Sequence, residues 1–311
     1  MEKNEEKQHV EVNKIYNQDC VSFLKGLPYE SCDSCITDPP YWGVVDEEWD
    51  KQWKNIEEYK KWCSEWIGEV SRVTKKSGSF FIFGYSYQLS HLLPIIESHG
   101  FKFRQQIVVW KGMKSAAGRV SSKLKMFPTT TEYIFYFVKD STNYVRDLLQ
   151  KRAKEKKLTA KYINEYLGKA SNGGGTWSSI AGLRQKNLQE PTKEDWEKLD
   201  KLFGGLPKYE DVIYTFNLPM GVTDVFDDIN FYISKDKKIH PTEKPIKLMN
   251  RLVECCSIEG DLILDPFMGS ASTAISCIEK NRNYIGSEID VDYFKLSKEK
   301  IDNYRKDLKL F

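Results

Sequence analysis

Residues 36–43 read ITDPPYWG. An apolar stretch runs into an aspartate, a double proline and an aromatic pair. Pro39 and Pro40 fix their own φ and lack N–H donors, so no helix continues through them. The residue before each proline is also pushed toward an extended conformation. Asp38 and Pro39 are therefore held rigidly, with oxygens that no helix satisfies, in a corner built to present hydrogen-bond acceptors. A second chemical signal is GDLILDPFMGSASTAISCIEKNRNYIGSEID at 260–290. Leu262–Leu264 read as an apolar strand ending at Asp265, a tight turn follows at Gly269, and small residues from Ser270 to Ala274 open a helix. The next strand, NYIGSE, delivers Glu288, 23 positions after Asp265. Small residues at such a turn let a nucleotide-like cofactor approach the backbone, and an acidic residue at the following strand end takes ribose hydroxyls. The stretch is not GxGxxG, which disfavours a dinucleotide, and an ordinary strand–helix–strand unit would also fit it. Between the two signals, KIHPTEKPIKLMNRLVE (238–254) clusters His240, Thr242 and Lys244 before a helix face of Ile246, Met249, Leu252 and Val253. By itself that segment reads as a loop leading into a helix.

The elements around these residues predict an α/β protein. VNKIYN, a helix over DCVSFLKGL, and SCITD lead to the proline corner. Residues 55–76 place Ile56, Tyr59, Trp62, Cys63, Trp66, Ile67 and Val70 at three- and four-residue steps, an amphipathic helix. Ser77–Gly78 is expected to end it. SFFIFG, a helix over 88–98 ended by Gly100, QQIVVW and TTEYIFYFV continue the alternation. Short, fully apolar strands alternating with helices predict a doubly wound, mostly parallel sheet covered on both faces. Residues 144–203 break the pattern with four short helical stretches, YVRDLLQKRAKEK, TAKYINEYLG, TWSSIAGLR and TKEDWEKLDKLFG. Thr159 and Thr192 are suitable N-caps, Thr192 with acidic residues in its first turn. The expected organisation is an α/β domain over 1–140 and 211–311, interrupted by a helical insertion over 141–210.

The 311 residues are 40% hydrophobic and 30% charged, without an apolar run long enough to span a bilayer, so no membrane partner is expected. The N-terminus, MEKNEEKQHVEVNK, lacks the apolar core of a signal peptide, which predicts a cytoplasmic protein. Seven cysteines include a CxxC at Cys32 and Cys35, but no second pair follows at zinc-site spacing, so reduced thiols and no metal are expected. A net charge of +2 excludes little by itself. Its distribution is more informative. Lys102 to Lys125 holds seven basic residues and no acidic one, and Arg146 to Lys186 holds ten basic against three acidic. Such runs are ordinarily solvated faces, but two adjacent ones on a balanced chain point to a polyanion surface.

Taken together, the segments resemble the DNA amino-methyltransferases, enzymes that methylate exocyclic amines with S-adenosylmethionine. ITDPPYWG matches their DPPY motif, LDPFMGSAS their DPF-x-G-S-G-T loop, HPTEKP their H-P-T-x-K-P segment, and IYNQDC a strand-end aspartate that precedes DPPY. The order, DPPY first and the cofactor loop last, resembles the circularly permuted β class. The resemblance implies a Rossmann-like fold and assigns Asp38, Pro39, Pro40 and Tyr41 to catalysis. Asp19, beside Cys20, would bond the cofactor's adenine amine and Glu288 its ribose. Asp265, Phe267, Gly269, Ser270, Ala271, Ser272 and Thr273 would line its methionine end, with His240, Thr242 and Lys244 near the methionine carboxylate. Ala271 departs from the family's glycine and Ser272 from its threonine. Alanine fits there if φ is negative, with tighter packing; a positive φ would instead cost about 1–2 kcal/mol.

An exocyclic amine is a poor nucleophile because its lone pair is delocalised into the ring. Acceptors at Asp38 and Pro39 that bond both N–H groups favour a more tetrahedral nitrogen, and preorganised acceptors favour the transition state selectively. Tyr41 would offer a ring for the extruded base, where stacking is worth about 1–3 kcal/mol and offsets part of the few kcal/mol that flipping costs. In this family the insertion recognises the target. KKLTAKYINEYLG and TWSSIAGLR resemble a helix-turn-helix, which would bring Trp177, Ser178, Ser179 and Arg184 to the major groove. Lys151, Arg152, Lys154 and Lys161 would contact phosphates. A bundle that merely shields the sheet is the alternative. The loop 111–125, with Lys111, Lys114, Arg119 and Lys123, reads as a DNA clamp or as simple disorder.

The leading expectation is therefore site-specific N6-adenine methylation of double-stranded DNA, since family members acting on cytosine-N4 often replace the aspartate with serine. Cytosine-N4 methylation is the alternative. RNA or glutamine-amide methylation would favour asparagine at position 38, and a DNA-binding protein with a decayed cofactor site has only Ala271 in its favour. The resemblance further implies a bacterial or phage-encoded protein, with a homodimer and a cognate restriction endonuclease as partners.

Overall fold

The computed structural model describes residues 11–42, 52–112, 125, 127–169, 175–182, 188–214, 216–231 and 243–308. In chain order the elements are β1 (Lys14–Asn17), α1 (Cys20–Lys25), β2 (Cys32–Thr37), α2 (Ile56–Val73), β3 (Thr74–Gly84), α3 (Ser86–Ser98), β4 (Phe101–Trp110) and β5 (Thr131–Lys139). Next come α4 (Thr142–Glu155), α5 (Ala160–Tyr166), α6 (Gly175–Ala181), α7 (Lys193–Phe203) and α8 (Tyr209–Val212). The chain closes with β6 (Val225–Phe226), α9 (Ile246–Cys256), β7 (Leu262–Asp265), α10 (Ser272–Glu279), β8 (Asn283–Glu288) and α11 (Val291–Leu308). It divides into two compact units, residues 1–139 with 215–311, and residues 140–214.

The first unit is built on an eight-stranded sheet in the order β1-β8-β7-β2-β3-β5-β4-β6. Pairing is parallel from β1 through β8, β7 and β2 to β3. β5 is antiparallel to both its neighbours, β3 and β4, while the short β6 runs parallel to β4. The continuous apolar strands are buried on both faces, as helices crossing between parallel strands require. Phe80 and Ile82 of β3, Cys35 of β2 and Leu264 of β7 share one core with α1, α2 and α3, including Trp66, Ile67 and Leu89. Phe81, Ile36 and Ile263, of opposite parity on the same strands, are equally buried, on the face that α9 covers.

α2 starts where Asn55 accepts from the backbone N–H groups of Glu57 and Glu58, both at 3.0 Å. It ends earlier than Ser77–Gly78 suggests. Thr74 turns its hydroxyl back to the Val70 carbonyl at 2.6 Å, and β3 begins at once. Ser77 and Gly78 lie within that strand, at a register shift against β2. Gly78 is there for want of space: a Cβ would stand 2.2 Å from Thr74 Cγ2 and 2.7 Å from the Asp33 carbonyl oxygen.

Parallel pairing gathers the carboxyl ends of the central strands along one edge. Cys35 pairs with Leu264, Asp265 with Gly286, and Asn17 with Glu288. Asp38, Asp265, Glu288 and Asp19 each stand at or just past one of these strand ends, the edge at which open α/β sheets bind ligands.

The second unit, α4 to α8, has a core of its own. Val145, Leu149, Ile163, Leu167, Ile180, Trp196, Leu199 and Phe203 pack together, and Trp177 packs with them at 5% exposure. This overturns the expectation that Trp177 faces a DNA groove: an indole at the centre of so small a core is a packing residue. Thr159 and Thr192 do cap α5 and α7, accepting from Tyr162 and Asp195 N–H groups at 3.3 and 3.1 Å.

Gly286 is where the sheet edge tolerates least. An added Cβ would meet the Asp265 carbonyl oxygen at 2.2 Å and Met268 Cε at 2.5 Å. Gly286→Ala is therefore expected to destabilise the protein by about 1–3 kcal/mol, the usual range for overpacking, and to lower its thermal midpoint in calorimetry.

Candidate active site

The proline corner leaves β2 as anticipated, but Asp38 is not alone. Lys244 Nζ lies 2.9 Å from Asp38 Oδ2 and 2.7 Å from Glu132 Oε1. The Tyr41 hydroxyl donates to Asp38 Oδ1 and stands 3.4 Å from Glu132 Oε1. Glu132 is 2% exposed and Lys244 8%, so an ammonium sits between two carboxylates with little water to screen it. Tyr59 of α2 donates to the Pro40 carbonyl at 3.0 Å, which pins the corner to the core. The Tyr41 ring is buried and meets Tyr85 edge-on, centroids 5.4 Å apart. That differs from the freely presented ring expected from the sequence; its hydroxyl is instead part of the charge network.

The DPF loop is tied down from both sides. Asp265 Oδ1 accepts from Thr37 Oγ1 at 2.8 Å and from the Phe267 N–H at 3.1 Å, while Oδ2 accepts from Thr273 Oγ1 at 2.5 Å. Glu288 accepts from the N–H groups of Gly269 and Asp290, both at 2.9 Å. Phe267 packs edge-on against Trp66 and Trp62 of α2, at 5.2 and 5.7 Å. Ser272, opening α10, donates to the Lys244 carbonyl at 3.0 Å. One residue thus has its backbone on the DPF loop and its side chain on Asp38. Asp19 caps α1, accepting from the Ser22 N–H at 3.0 Å.

Ala271 adopts φ +61° and ψ +25° and is fully buried. Of the two outcomes weighed from the sequence, the positive φ with its conformational cost is the one the structure has. The left-handed backbone costs about 1–2 kcal/mol, while burying the methyl returns about 0.8 kcal/mol and avoids glycine's 0.5–1 kcal/mol entropy loss. These terms nearly cancel, which accounts for an alanine where glycine is usual.

These residues line one cavity of about 450 Å³, within the range of small-molecule sites. Asp19, Cys20, Asp38, Pro39, Pro40, Tyr41, Lys244, Asp265, Phe267, Gly269, Ser270, Ser272, Thr273 and Glu288 all contribute to it, whereas Ala271 does not. Trp62, Ile289 and Tyr293 line it too and were not singled out from sequence. Lys244 lines the cavity with its ammonium engaged by Asp38 and Glu132. Glu132 was read only as part of a strand. Its signal was available: a lone carboxylate heading a continuous apolar run must find a partner if buried. Of the remaining candidates, Lys114, Arg119, Lys123, Arg184, His240 and Thr242 lie outside the described residues. Lys111 stands 3.9 Å from Glu132 Oε2, drawn toward this network. Lys151 and Lys161 are exposed, and Arg152 bonds Glu155 and the Gly205 carbonyl, each at 3.2 Å. Ser178 is half-buried. Among the described residues no cluster of three or more His, Cys, Asp or Glu side chains fits a metal ion, and no helix is long and apolar enough to cross a membrane. Cys32 is buried, which raises its thiol to about 12.

Burial dominates the electrostatics. It raises Asp38 above the usual carboxylate range, against the opposing pull of Lys244 and with Glu132 adding to the rise. Burial would also raise Glu132, but Lys244 and then Lys111 bring it below its ordinary value. For Lys244 burial favours the neutral amine, and the two carboxylates overcome it and hold the ammonium well above the lysine norm. Desolvation carries Asp265 up to about 6 in spite of its three donors, and raises Glu288 as well.

A sheet of this order with a cavity at its carboxyl edge, floored by an acidic loop and walled by a proline corner, defines a Rossmann-like methyltransferase. Similar folds include the M1.HpyAVI–SAM complex (TM-score 0.56, 20% identity, covering 93% of this chain and 98% of that one). The cytosine-N4-specific PvuII DNA methyltransferase is another (TM-score 0.53, 19% identity, covering 94% and 91%). The chain belongs to the DNA methylase family, whose N6/N4 methyltransferase model matches residues 32–299. Among curated relatives it is similar to the type II methyltransferase M.HpaI of Haemophilus parainfluenzae, 25% identical, covering 93% of this chain and 74% of that protein. It is also similar to the DNA adenine methyltransferase YhdJ of Escherichia coli K12, 28% identical, covering 94% and 83%. It is accordingly an S-adenosylmethionine-dependent DNA methyltransferase. The cavity suits that cofactor. Its lining combines the carboxylates of Asp19 and Glu288, the apolar side chains of Phe267, Met268 and Ile289, and the buried Asp265, a mixture that fits a ligand with hydrogen-bond donors, apolar parts and a positive charge.

Asp265 also makes a pH prediction. Because its folded-state value of about 6 lies above the ordinary 3.8, the native state binds a proton that the unfolded chain releases. Its contribution to stability is full below pH 4 and is lost as pH rises through 6, a difference on the order of 3 kcal/mol. Asp265→Asn removes that component, so the urea midpoints of variant and wild type should follow different slopes between pH 4 and 6.5.

Proposed function

We propose that this methyltransferase acts on the N6 amine of an adenine turned out of duplex DNA. The observation that carries the reading is a carboxylate, Asp38, on the cavity wall beside Pro39, with the Lys244 ammonium at 2.9 Å opposing the rise that burial imposes on it. S-adenosylmethionine supplies a methyl group on a positively charged sulfur. Asp19 and Glu288 would hold the adenosine part, while the DPF loop and Asp265 would hold the methionine part. Asp38 and the Pro39 carbonyl would accept the two N–H groups of the target amine. As the nitrogen gains the methyl and a positive charge, the carboxylate stabilises that charge and draws off one proton. Water has little access behind Tyr41 and Tyr59, which keeps these interactions strong. The motif order, with the DPPY corner on β2 and the cofactor loop after β7, supports the permuted β class.

Cytosine-N4 is the second reading, favoured by the fold shared with the cytosine-N4-specific PvuII enzyme; a carboxylate at position 38 and the similarity to YhdJ favour adenine. The protein should be incubated with methyl-tritiated S-adenosylmethionine and unmethylated genomic DNA, and the DNA digested to nucleosides. Label is expected in N6-methyladenine and should fall about 10²–10³-fold in Asp38→Ala, as for loss of one preorganised transition-state partner. Label in N4-methylcytosine would keep the mechanism and reverse the choice of base.

The helical unit is proposed to hold DNA through its basic surface. Replacing the exposed Lys151, Lys154 and Lys161 together by alanine should weaken DNA binding regardless of sequence. If all three neutralise phosphates, the slope of log K against log salt falls by about 3, read by anisotropy across a salt series.

A further inference from the structure

We propose that Glu132 is a positioning residue for the reaction: by sharing the Lys244 ammonium with Asp38, it keeps the acceptor carboxylate free to draw on the target N–H. The inference rests on the reading of Asp38 as that acceptor. Glu132 does not line the cavity; it acts from behind, as the second residue of β5. Its Oε1 lies 2.7 Å from Lys244 Nζ, and the same ammonium lies 2.9 Å from Asp38. The Tyr41 hydroxyl bridges the same two carboxylates.

The charges explain why a second carboxylate is useful. An Asp38–Lys244 pair alone would be neutral, with the aspartate's electron density drawn to the ammonium. Glu132 divides that ammonium, so Asp38, Glu132 and Lys244 together carry one negative charge. Positive charge arrives on the target nitrogen during transfer, and a site with one uncompensated negative charge stabilises it where a neutral pair does not. The charged neighbours on other elements are of opposite sign and offset one another, Lys111 beside Glu132 and Asp265 beside Asp38. Lys111, at the end of β4, is 3.9 Å from Glu132 Oε2. Asp265 of β7 faces Asp38 as a further carboxylate, and Tyr41 and Tyr85 complete the surroundings. Glu132 Oε2 is buried and accepts no hydrogen bond among the described residues. Burying such a carboxylate is expensive, which is unexplained if its task is structural alone.

The two charged neighbours act on Asp38 in opposite senses, and that separates a functional role from a structural one. Single-turnover methylation should be measured from pH 5 to 9 with saturating cofactor and DNA, for wild type, Glu132→Gln, Lys244→Met and Asp38→Asn. Removing the glutamate's charge lowers the affinity of Asp38 for a proton, so the acid limb of the rate profile moves to lower pH. Removing the lysine's charge moves it to higher pH. Both variants should lose at least about tenfold in rate at the plateau, with cofactor KM within about threefold of wild type and Asp38→Asn inactive. An acid limb in Glu132→Gln that coincides with wild type, or moves upward with Lys244→Met, overturns the inference while an inactive Asp38→Asn leaves the catalytic reading standing. An active Asp38→Asn overturns both. If Lys244→Met does not fold, Glu132→Gln decides the matter, because it retains the paired Asp38 and Lys244.

Discussion

Lys244 between Asp38 and Glu132 is the interaction on which the rest of the catalytic unit depends. Three charged groups are taken out of water together, and the desolvation each suffers is met chiefly by the other two, with Tyr41 and Lys111 adding to it. Such arrangements contribute little net stability compared with apolar packing, yet removing one member leaves a buried charge exposed to the full penalty of several kcal/mol. The network therefore acts as a geometric lock. It joins the corner after β2, the head of β5 and the segment before α9, stretches that are remote in the chain. The Lys244 backbone, held by Ser272, extends the lock to the start of α10, where the DPF loop ends.

That loop is organised on a different principle. Asp265 receives three donors and Glu288 receives two backbone N–H groups, so both carboxylates serve as internal scaffolds before any ligand is considered. Each still borders the cavity. The pressure of burial on Asp265, which carries it to about 6, shows that even three hydrogen bonds do not fully replace water. A site poised in this way favours a ligand that brings positive charge.

Much of this was legible in the sequence. The amphipathic spacing from Ile56 to Val70, the apolar strands and the two acidic strand ends led to a sheet with its chemistry at one edge. What remained hidden has physical reasons. Glu132 and Lys244 are 112 positions apart, and no local pattern reveals which buried cation answers a buried anion. Ser77–Gly78 has the composition of a helix stop, but the crowding of Asp33 and Thr74 made it a strand glycine. Trp177 was placed on a groove-facing helix by likeness to a module, whereas a small helical unit needs its largest rings inside. Ala271 depended on a backbone angle that residue type alone does not decide.

Thr37 and Asp38 are adjacent, yet the first bonds the carboxylate of the cofactor loop and the second meets the lysine of the acceptor site. Successive side chains of an extended strand point to opposite faces, so the donor and acceptor halves of the cavity diverge within one peptide unit. The DPF-loop side of the cavity and its Lys244 side are thus separated by the rise of a single residue at the end of a strand paired with β3 and β7. A slip of β2 by one position would exchange the two faces. The six residues of β2 fix which side chain meets which part of the cavity, and an insertion or deletion there would disturb both.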